Sequence, residues 1–213
     1  MIKKIVALTM AAVLAAVSFT SCSKVKTPEK QESFDVTTKE TVNVVMLLND
    51  GRSMEFELYP KIAPITVQNF VDLATSGFYD GLTFHRIVSN FVVQGGDPKG
   101  NGTGGSGTTI KGEFKENGVE NNLSHTKGVI SMARQSSLTG QMENEVDTLM
   151  DSATSQFFIV LSNSAKSSLD GKYAGFGKMT KGFDVLEELG TVAVDDNDKP
   201  LKDIVINSVR VAD

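Results

Sequence analysis

Residues 84–97, Phe-His-Arg-Ile-Val-Ser-Asn-Phe-Val-Val-Gln-Gly-Gly-Asp, constrain the fold more than any other stretch of the chain. Polar and apolar residues alternate on either side of Ser89-Asn90, which is the pattern of two half-buried strand segments. Residues two apart on a strand share a face. Arg86 is therefore expected beside Phe84 and Val88, and Gln94 beside Val92. A bulge or bend at the Ser-Asn pair re-aims the second segment. The expected product is a guanidinium, an amide, a phenyl ring and an aliphatic group held close together. Gly95-Gly96 follows, where backbone can approach a ligand.

The flanking chain reads as short strands with frequent turns. Residues 42–48 are an apolar run, and Met54, Phe56 and Leu58 alternate with Glu55 and Glu57. Between them Asn49-Asp50-Gly51-Arg52 supplies the positive φ of a hairpin turn. Pro64 and Gly77 punctuate a helix, and Val67, Phe70, Val71 and Ala74 fall on one face of it, expected to be core. A second helix is expected over 183–189, closed by Gly190, and a last strand over 204–211. The glycine-rich segment 100–107 formally contains G-x-G-x-x-G. A pyrophosphate site also needs a strand before it and a helix after it. The β-prone Thr109-Ile110 follows instead, so nucleotide binding is rejected. Residues 195–198, Asp-Asp-Asn-Asp, lack the spacing and glycine of a calcium loop and read as an acidic turn. The whole is a mainly β pattern, which alone does not separate barrel from sandwich.

A net charge of −5 argues against nucleic acid or an anionic membrane surface as the main partner. With two histidines and one cysteine, a zinc site is not expected. Both histidines are expected to be satisfied structural groups, His85 facing away from Arg86. No G-x-S-x-G elbow supports hydrolysis. At the N-terminus, Lys3-Lys4 precedes an apolar stretch over 5–19, too short for a hydrocarbon core that needs roughly 20 residues. That is the form of an export signal. Phe19-Thr20-Ser21-Cys22 resembles a bacterial lipobox, which implies Cys22 as the lipidation site; the alternative is a plain signal peptide cut at small residues, with Cys22 incidental. The expected organisation is a signal over 1–21, a lipidated Cys22 with a flexible polar tether to residue 41, and a folded domain over 42–213.

The stretch 84–97, extended upstream through Tyr79-Asp80-Gly81-Leu82-Thr83, resembles the central signature of the cyclophilin peptidyl-prolyl cis-trans isomerases. Asn101-Gly102-Thr103-Gly104-Gly105, His125-Thr126, Ser131-Met132-Ala133, the run 155–159 and the run 169–177 resemble further family segments. The similarity covers roughly 42–212. It implies a closed eight-stranded antiparallel β-barrel capped by two helices, and an activity that needs no cofactor and no metal. It assigns Arg86 the catalytic, electrostatic role. It places Phe91, Val92, Phe158 and Leu169 in a proline pocket and has Gln94 bond the peptide backbone. Gly102, Ala133, Arg134, Gln135 and Gln156 line the rest of the groove, and Tyr173 stands where histidine is common.

Two departures follow. Ser168 replaces an aromatic residue that helps hold cyclosporin, so weak binding of that ligand is expected. The connection 135–154 is enlarged, with Val146, Leu149 and Met150 spaced as on a short acidic helix. The implied function is isomerisation of X-Pro bonds in exported proteins, in the periplasm or at the cell surface. Proline-containing polypeptides are the partners, and the protein is a lipid-anchored monomer. The alternatives are a peptide-binding chaperone module with little turnover and a structural envelope lipoprotein.

Overall fold

Strands β1 (Val42–Leu48) and β2 (Ser53–Leu58) alternate buried and more exposed residues along their length, so one face belongs to the core and the other to solvent. Gly51 turns between them at φ +88°, the left-handed geometry that Asp-Gly favours. The structure, a computed structural model, describes residues 34–135 and 149–212. Six further strands follow: β3 (Arg86–Val88), β4 (Val92–Gly95), β5 (Val129–Met132), β6 (Phe157–Val160), β7 (Gly175–Lys181) and β8 (Ile206–Ala212). They join in the order β3-β4-β6-β5-β7-β2-β1-β8, every pairing antiparallel.

The sheet curls on itself, and its outer strands β3 and β8 share no ladder of their own. The segments that precede them are joined instead. Thr83 and Val205 form a bridge. Phe84 N–H donates to the Ile204 carbonyl at 3.0 Å, and Ile206 N–H donates to the Leu82 carbonyl at 2.8 Å. The mainly β class and the eight antiparallel strands agree with expectation. The seam is shorter than a full strand pair.

Among the described residues three helices accompany the sheet: α1 (Pro64–Thr75), a single turn α2 (Lys166–Leu169) and α3 (Phe183–Leu189). The first and third are those read from the sequence. Val67, Phe70, Val71 and Ala74 of α1 are fully buried. The Phe70 ring lies 5.2 Å from Phe176, 5.6 Å from Phe157 and 5.0 Å from Tyr79. No described helix is long and apolar enough to cross a membrane.

The start of α1 has a remote cap. Pro64 sits in its first turn and Ala63, at the N-cap, has no side-chain acceptor. Buried Glu113 supplies it: its carboxylate accepts Ile65 N–H at 3.1 Å, Thr66 N–H at 2.8 Å and the Thr66 hydroxyl at 2.7 Å. The two N–H groups are orphan donors of a helix N-terminus. Glu113→Ala is expected to cost about 2–3 kcal/mol, a fall of roughly 5–10 °C in melting midpoint for a chain this size. Thermal unfolding with an unchanged midpoint would show that the cap contributes nothing.

Three expectations need correction. The tether does not run to residue 41, because Val36 is fully buried in the core. Its N–H donates to Gln68 Oε1 at 3.1 Å, and Gln68 Nε2 donates back to the Phe34 carbonyl at 2.8 Å. An apolar residue amid polar neighbours was the overlooked signal. Second, Phe84 does not share a face with Arg86. It precedes β3, so strand alternation does not govern it, and it packs into the core edge-on to Phe157 at 6.2 Å. Third, Gly95 and Gly96 serve the interior rather than a ligand. A Cβ on Gly95 would sit 3.0 Å from the Phe84 ring, and one on Gly96, at φ +84°, 2.4 Å from the Ser155 carbonyl oxygen. The expected helical spacing around Val146 lies largely outside the described residues.

Candidate active site

Three adjacent strands set one transverse row of side chains. Arg86 on β3 pairs with Gln94 on β4, and Gln94 pairs with Phe158 on β6. Directly paired residues on neighbouring strands project to the same face, so guanidinium, amide and phenyl ring stand side by side. Two residues along, Val88 pairs with Val92 and Val92 with Val160. The loop between β3 and β4 turns at Asn90, φ 59°, with Phe91 N–H donating to the Val88 carbonyl at 3.0 Å. The expected bend at Ser89-Asn90 is thus a tight hairpin turn.

The row borders a groove of about 890 Å³ lined by Arg86, Phe91, Val92, Gln94, Gly102, Ala133, Arg134, Gln135, Phe158, Leu169 and Tyr173. Gln156 lines an adjoining cavity of about 360 Å³, which shares Gln94, Gly102 and Ala133. All twelve groove residues read from the sequence therefore meet in one place. The groove's apolar floor is a small cluster apart from the main core: Val92, Phe158 and Leu169, backed by Val129, Val160 and Ala165, with Phe91, Ala133 and Tyr173 packed against it. The Tyr173 ring stands edge-on to Phe158 at 5.5 Å.

The polar walls are held by bonds that fix their direction. Gln94 Nε2 donates to Gln156 Oε1 at 2.9 Å, and Gln156 Nε2 donates to the carbonyls of Gly102 at 3.0 Å and Gly104 at 2.7 Å. The glycine loop is itself wound around buried Asp97. That carboxylate accepts N–H groups of Lys99 at 2.7 Å, Asn101 at 3.0 Å and Gly102 at 2.6 Å. Burial pushes its carboxyl up, but the loop N–H groups of Lys99, Asn101, Gly104 and Gly102 outweigh that and hold it below the ordinary carboxylate value. A Cβ on Gly104 would lie 2.0 Å from Asp97 Oδ1, so glycine there is a packing requirement.

Arg134 is anchored rather than free. Its Nε donates to the Lys172 carbonyl at 3.1 Å, and its guanidinium lies over the rings of Phe114 and Tyr173 at 5.3 and 5.0 Å. Arg86 is different: it is 40% exposed, and its described charge partner is Asp198, 3.3 Å away. The segment 195–198, read from the sequence only as an acidic turn, is thus part of the site, and Asp195, Asn197 and Lys199 line the groove. Nothing local in the sequence ties that turn to Arg86, more than a hundred residues earlier.

The histidines diverge. His125 is satisfied as expected, Nδ1 lying 2.9 Å from Asp170 Oδ1 and Nε2 3.0 Å from Ser131 Oγ. This has the composition of a hydrolytic triad, yet Ser131 is fully buried in β5. A nucleophile must reach a substrate carbonyl, so the chain of bonds is structural. His85 is not the satisfied residue expected. Neither ring nitrogen has a partner among the described residues, although the side chain is 95% buried, and it lines the groove with Arg86. Alternation failed because His85, like Phe84, precedes β3.

Burial lowers the His85 pKa, Asp97 opposes this, and Arg86 and Lys199 lower it further, for a net fall below 6.5. His125 also lies below its ordinary value, burial outweighing the pull of Asp170. In both cases the unfolded chain binds the proton first. Stability is therefore complete above about pH 6.5 and falls as pH drops below it. Melting midpoints are expected to decline between about pH 6.5 and 5, ahead of the usual carboxylate range. His85→Phe should make that decline shallower, and equal slopes in both proteins would exclude His85 as a source.

Residues 43–211 match the family model described as cyclophilin type peptidyl-prolyl cis-trans isomerase/CLD. The chain is 46% identical over 143 residues to peptidyl-prolyl cis-trans isomerase B of Bacillus subtilis, covering 67% of this chain and 87% of that protein. It is 39% identical over 158 residues to a peptidyl-prolyl cis-trans isomerase of Arabidopsis thaliana, covering 74% of this chain and 86% of the relative. A crystal structure of a cyclophilin type isomerase from Cryptosporidium parvum superposes with a TM-score of 0.69 at 30% identity, over 81% of this chain and 98% of the other. The same isomerase crystallised in the presence of the dipeptide Ala-Pro gives 0.68 at 31% identity, over 80% and 99%. Fold, groove and sequence therefore converge, and this chain belongs to the cyclophilin-type peptidyl-prolyl cis-trans isomerases.

Proposed function

We propose that this isomerase acts on X-Pro bonds of proteins folding outside the cytoplasm, tethered to a membrane through lipid on Cys22, with Arg86 as its catalytic residue. The observation that carries the site reading is the row Arg86–Gln94–Phe158 beside an apolar floor. Rotation about an X-Pro bond is slow enough to limit folding, taking roughly 10–100 s unaided. The barrier, about 18–20 kcal/mol, is amide resonance lost in the twisted state. No bond breaks, so catalysis consists of binding the twisted amide better than either planar form.

In this reading the proline ring seats on Val92, Phe158 and Leu169, with Phe91 and Tyr173 at its sides. Gln94, whose amide is oriented by Gln156, bonds the peptide backbone next to the proline. The glycine loop, Ala133, Arg134 and Gln135 border the flanking peptide. The Arg86 guanidinium donates to the prolyl nitrogen, whose lone pair is available only when conjugation is broken. Arginine suits the task because it stays charged and directional. The Ala-Pro dipeptide present with the Cryptosporidium parvum relative supports a small residue before proline as a first substrate to try.

Cis-to-trans isomerisation of an Ala-Pro tetrapeptide tests the enzyme. Acceleration is expected, and none from a folded protein across several peptide sequences would favour the binding-module alternative. Cys22→Ser should move the protein from the membrane fraction to the soluble fraction; retention in the membrane would refute the lipid anchor. Ser168 lies exposed on α2, a hydroxyl where a ring is wanted, so cyclosporin inhibition is expected to be weak. A nanomolar inhibition constant would overturn that expectation.

A further inference from the structure

One wall of the groove is the turn 195–199, and its geometry is closed by its own bonds. Asp195 N–H donates to the Lys199 carbonyl at 2.8 Å, and Asp198 N–H to the Asp195 carbonyl at 3.1 Å. The Asp195 carboxylate accepts the N–H groups of Asn197 and Lys199 at 2.8 and 3.0 Å. Val194 and Pro200 bridge at the base of the turn. This arrangement puts Asp198 at φ +62°, the left-handed region where glycine is the unstrained choice and Asp or Asn is tolerated. Turn formation alone therefore does not call for a carboxylate at this position.

What the carboxylate touches is the catalytic strand. Asp198 accepts the Ile87 N–H on its carbonyl at 2.8 Å, and its Oδ2 lies 3.3 Å from Arg86 Nη2. One residue thus grips β3 at two consecutive positions, once through backbone and once through side chain. β3 is only three residues long and lies at the edge of the sheet order, so its other ladder bonds all come from β4. Arg86 is 40% exposed, and a long side chain with that freedom spreads over many rotamers. The contact uses one nitrogen of a fork that carries five N–H donors, so donors remain for a substrate.

We propose that Asp198 is a positioning residue for Arg86, holding the guanidinium at the groove so that less side-chain entropy is lost as the twisted amide forms. This rests on the reading of Arg86 as the donor to the prolyl nitrogen. Preorganisation of this kind raises kcat and leaves ground-state binding untouched. Its size is bounded by what an exposed ion pair supplies, about three- to fivefold in rate.

The test is Asp198→Asn and Asp198→Gly in the full-length protein, each alone and combined with Arg86→Ala, assayed on the Ala-Pro peptide. Both replacements accept the left-handed backbone, so melting midpoints should hold, with glycine equal to wild type or higher. With Arg86 present, kcat should fall about three- to fivefold at unchanged KM. With Arg86→Ala, the Asp198 replacements should have no further effect, because coupled groups are non-additive. Raising salt should slow wild type toward the Asp198→Asn rate and leave that variant unmoved, since screening acts on the ion pair.

Equal slowing in both backgrounds would mean that Asp198 only shapes the turn, and unchanged or faster turnover would likewise overturn the proposal. If Arg86→Ala alone keeps the wild-type rate, the reading of Arg86 has failed and this inference with it. If Arg86→Ala is slow but Asp198→Asn is not, only the inference fails.

Discussion

Arg86→Ala is expected to lower kcat on an Ala-Pro peptide by about 10²–10³, the loss typical of removing one donor aimed at charge that develops in a transition state. KM should change little, because the prolyl nitrogen offers no lone pair in the planar ground state. That split separates the proposed role from mere substrate binding, where KM would rise at constant kcat. The effect should not come through the fold. Arg86 is 40% exposed, its partner Asp198 is 42% exposed, and ion pairs of that kind contribute about 0–1 kcal/mol. The melting midpoint should therefore move by no more than roughly 4 °C. Arg86→Lys keeps a charge but not the fork, and should recover only part of the rate. A folded Arg86→Ala protein that turns over at the wild-type rate would leave the apolar floor and Gln94 as the whole of the catalytic apparatus.

What the sequence made legible was local. The Asp-Gly hairpin, the buried face of α1 and the closeness of Arg86 to Gln94 all depend on periodicity or turn chemistry within a dozen residues, and the structure reproduces them. The membership of the groove came from a family resemblance, since periodicity alone could not bring Leu169 or Tyr173 to Phe91. What escaped was long-range. Glu113 caps α1 from 47 residues away, and Asp198 reaches Arg86 from the last turn before β8. Neither contact leaves a periodic trace. The errors at Phe84 and His85 share one physical cause. Strand alternation begins only at Arg86, and the two residues before it lie in a segment whose direction is set by the seam to Ile204 and Val205. At Gly95-Gly96 the sequence signals a close approach without saying to what. Here the approaching groups are Phe84 and Ser155.

Phe157→Ala and Phe158→Ala, neighbours on β6, are expected to fail in opposite ways. Consecutive strand residues face opposite sides of the sheet. Phe157 is fully buried and lies within 5.5–6.2 Å of Phe70, Tyr79 and Phe84. Truncation leaves a cavity walled by rings that cannot collapse, at about 3–5 kcal/mol, and the melting midpoint should fall by roughly 10–15 °C. The protein still folded at low temperature should keep most of its kcat/KM, because Phe157 does not line the groove. Phe158 lies on the groove side, 5% exposed, stacked 6.2 Å from His125 and edge-on to Tyr173. Its loss opens a space that water can enter from the groove, so the stability penalty should be the smaller of the two. In the proposed pose, however, the proline ring loses its main apolar surface, worth about 2 kcal/mol of binding. That is roughly a thirtyfold fall in kcat/KM, carried mostly by KM because the ring is held alike in ground and transition states. Urea unfolding and isomerisation kinetics on the two variants read both axes. If Phe157→Ala reduces kcat/KM as strongly as Phe158→Ala does, the two faces of β6 are not independent, and the groove's geometry depends on the core directly beneath it.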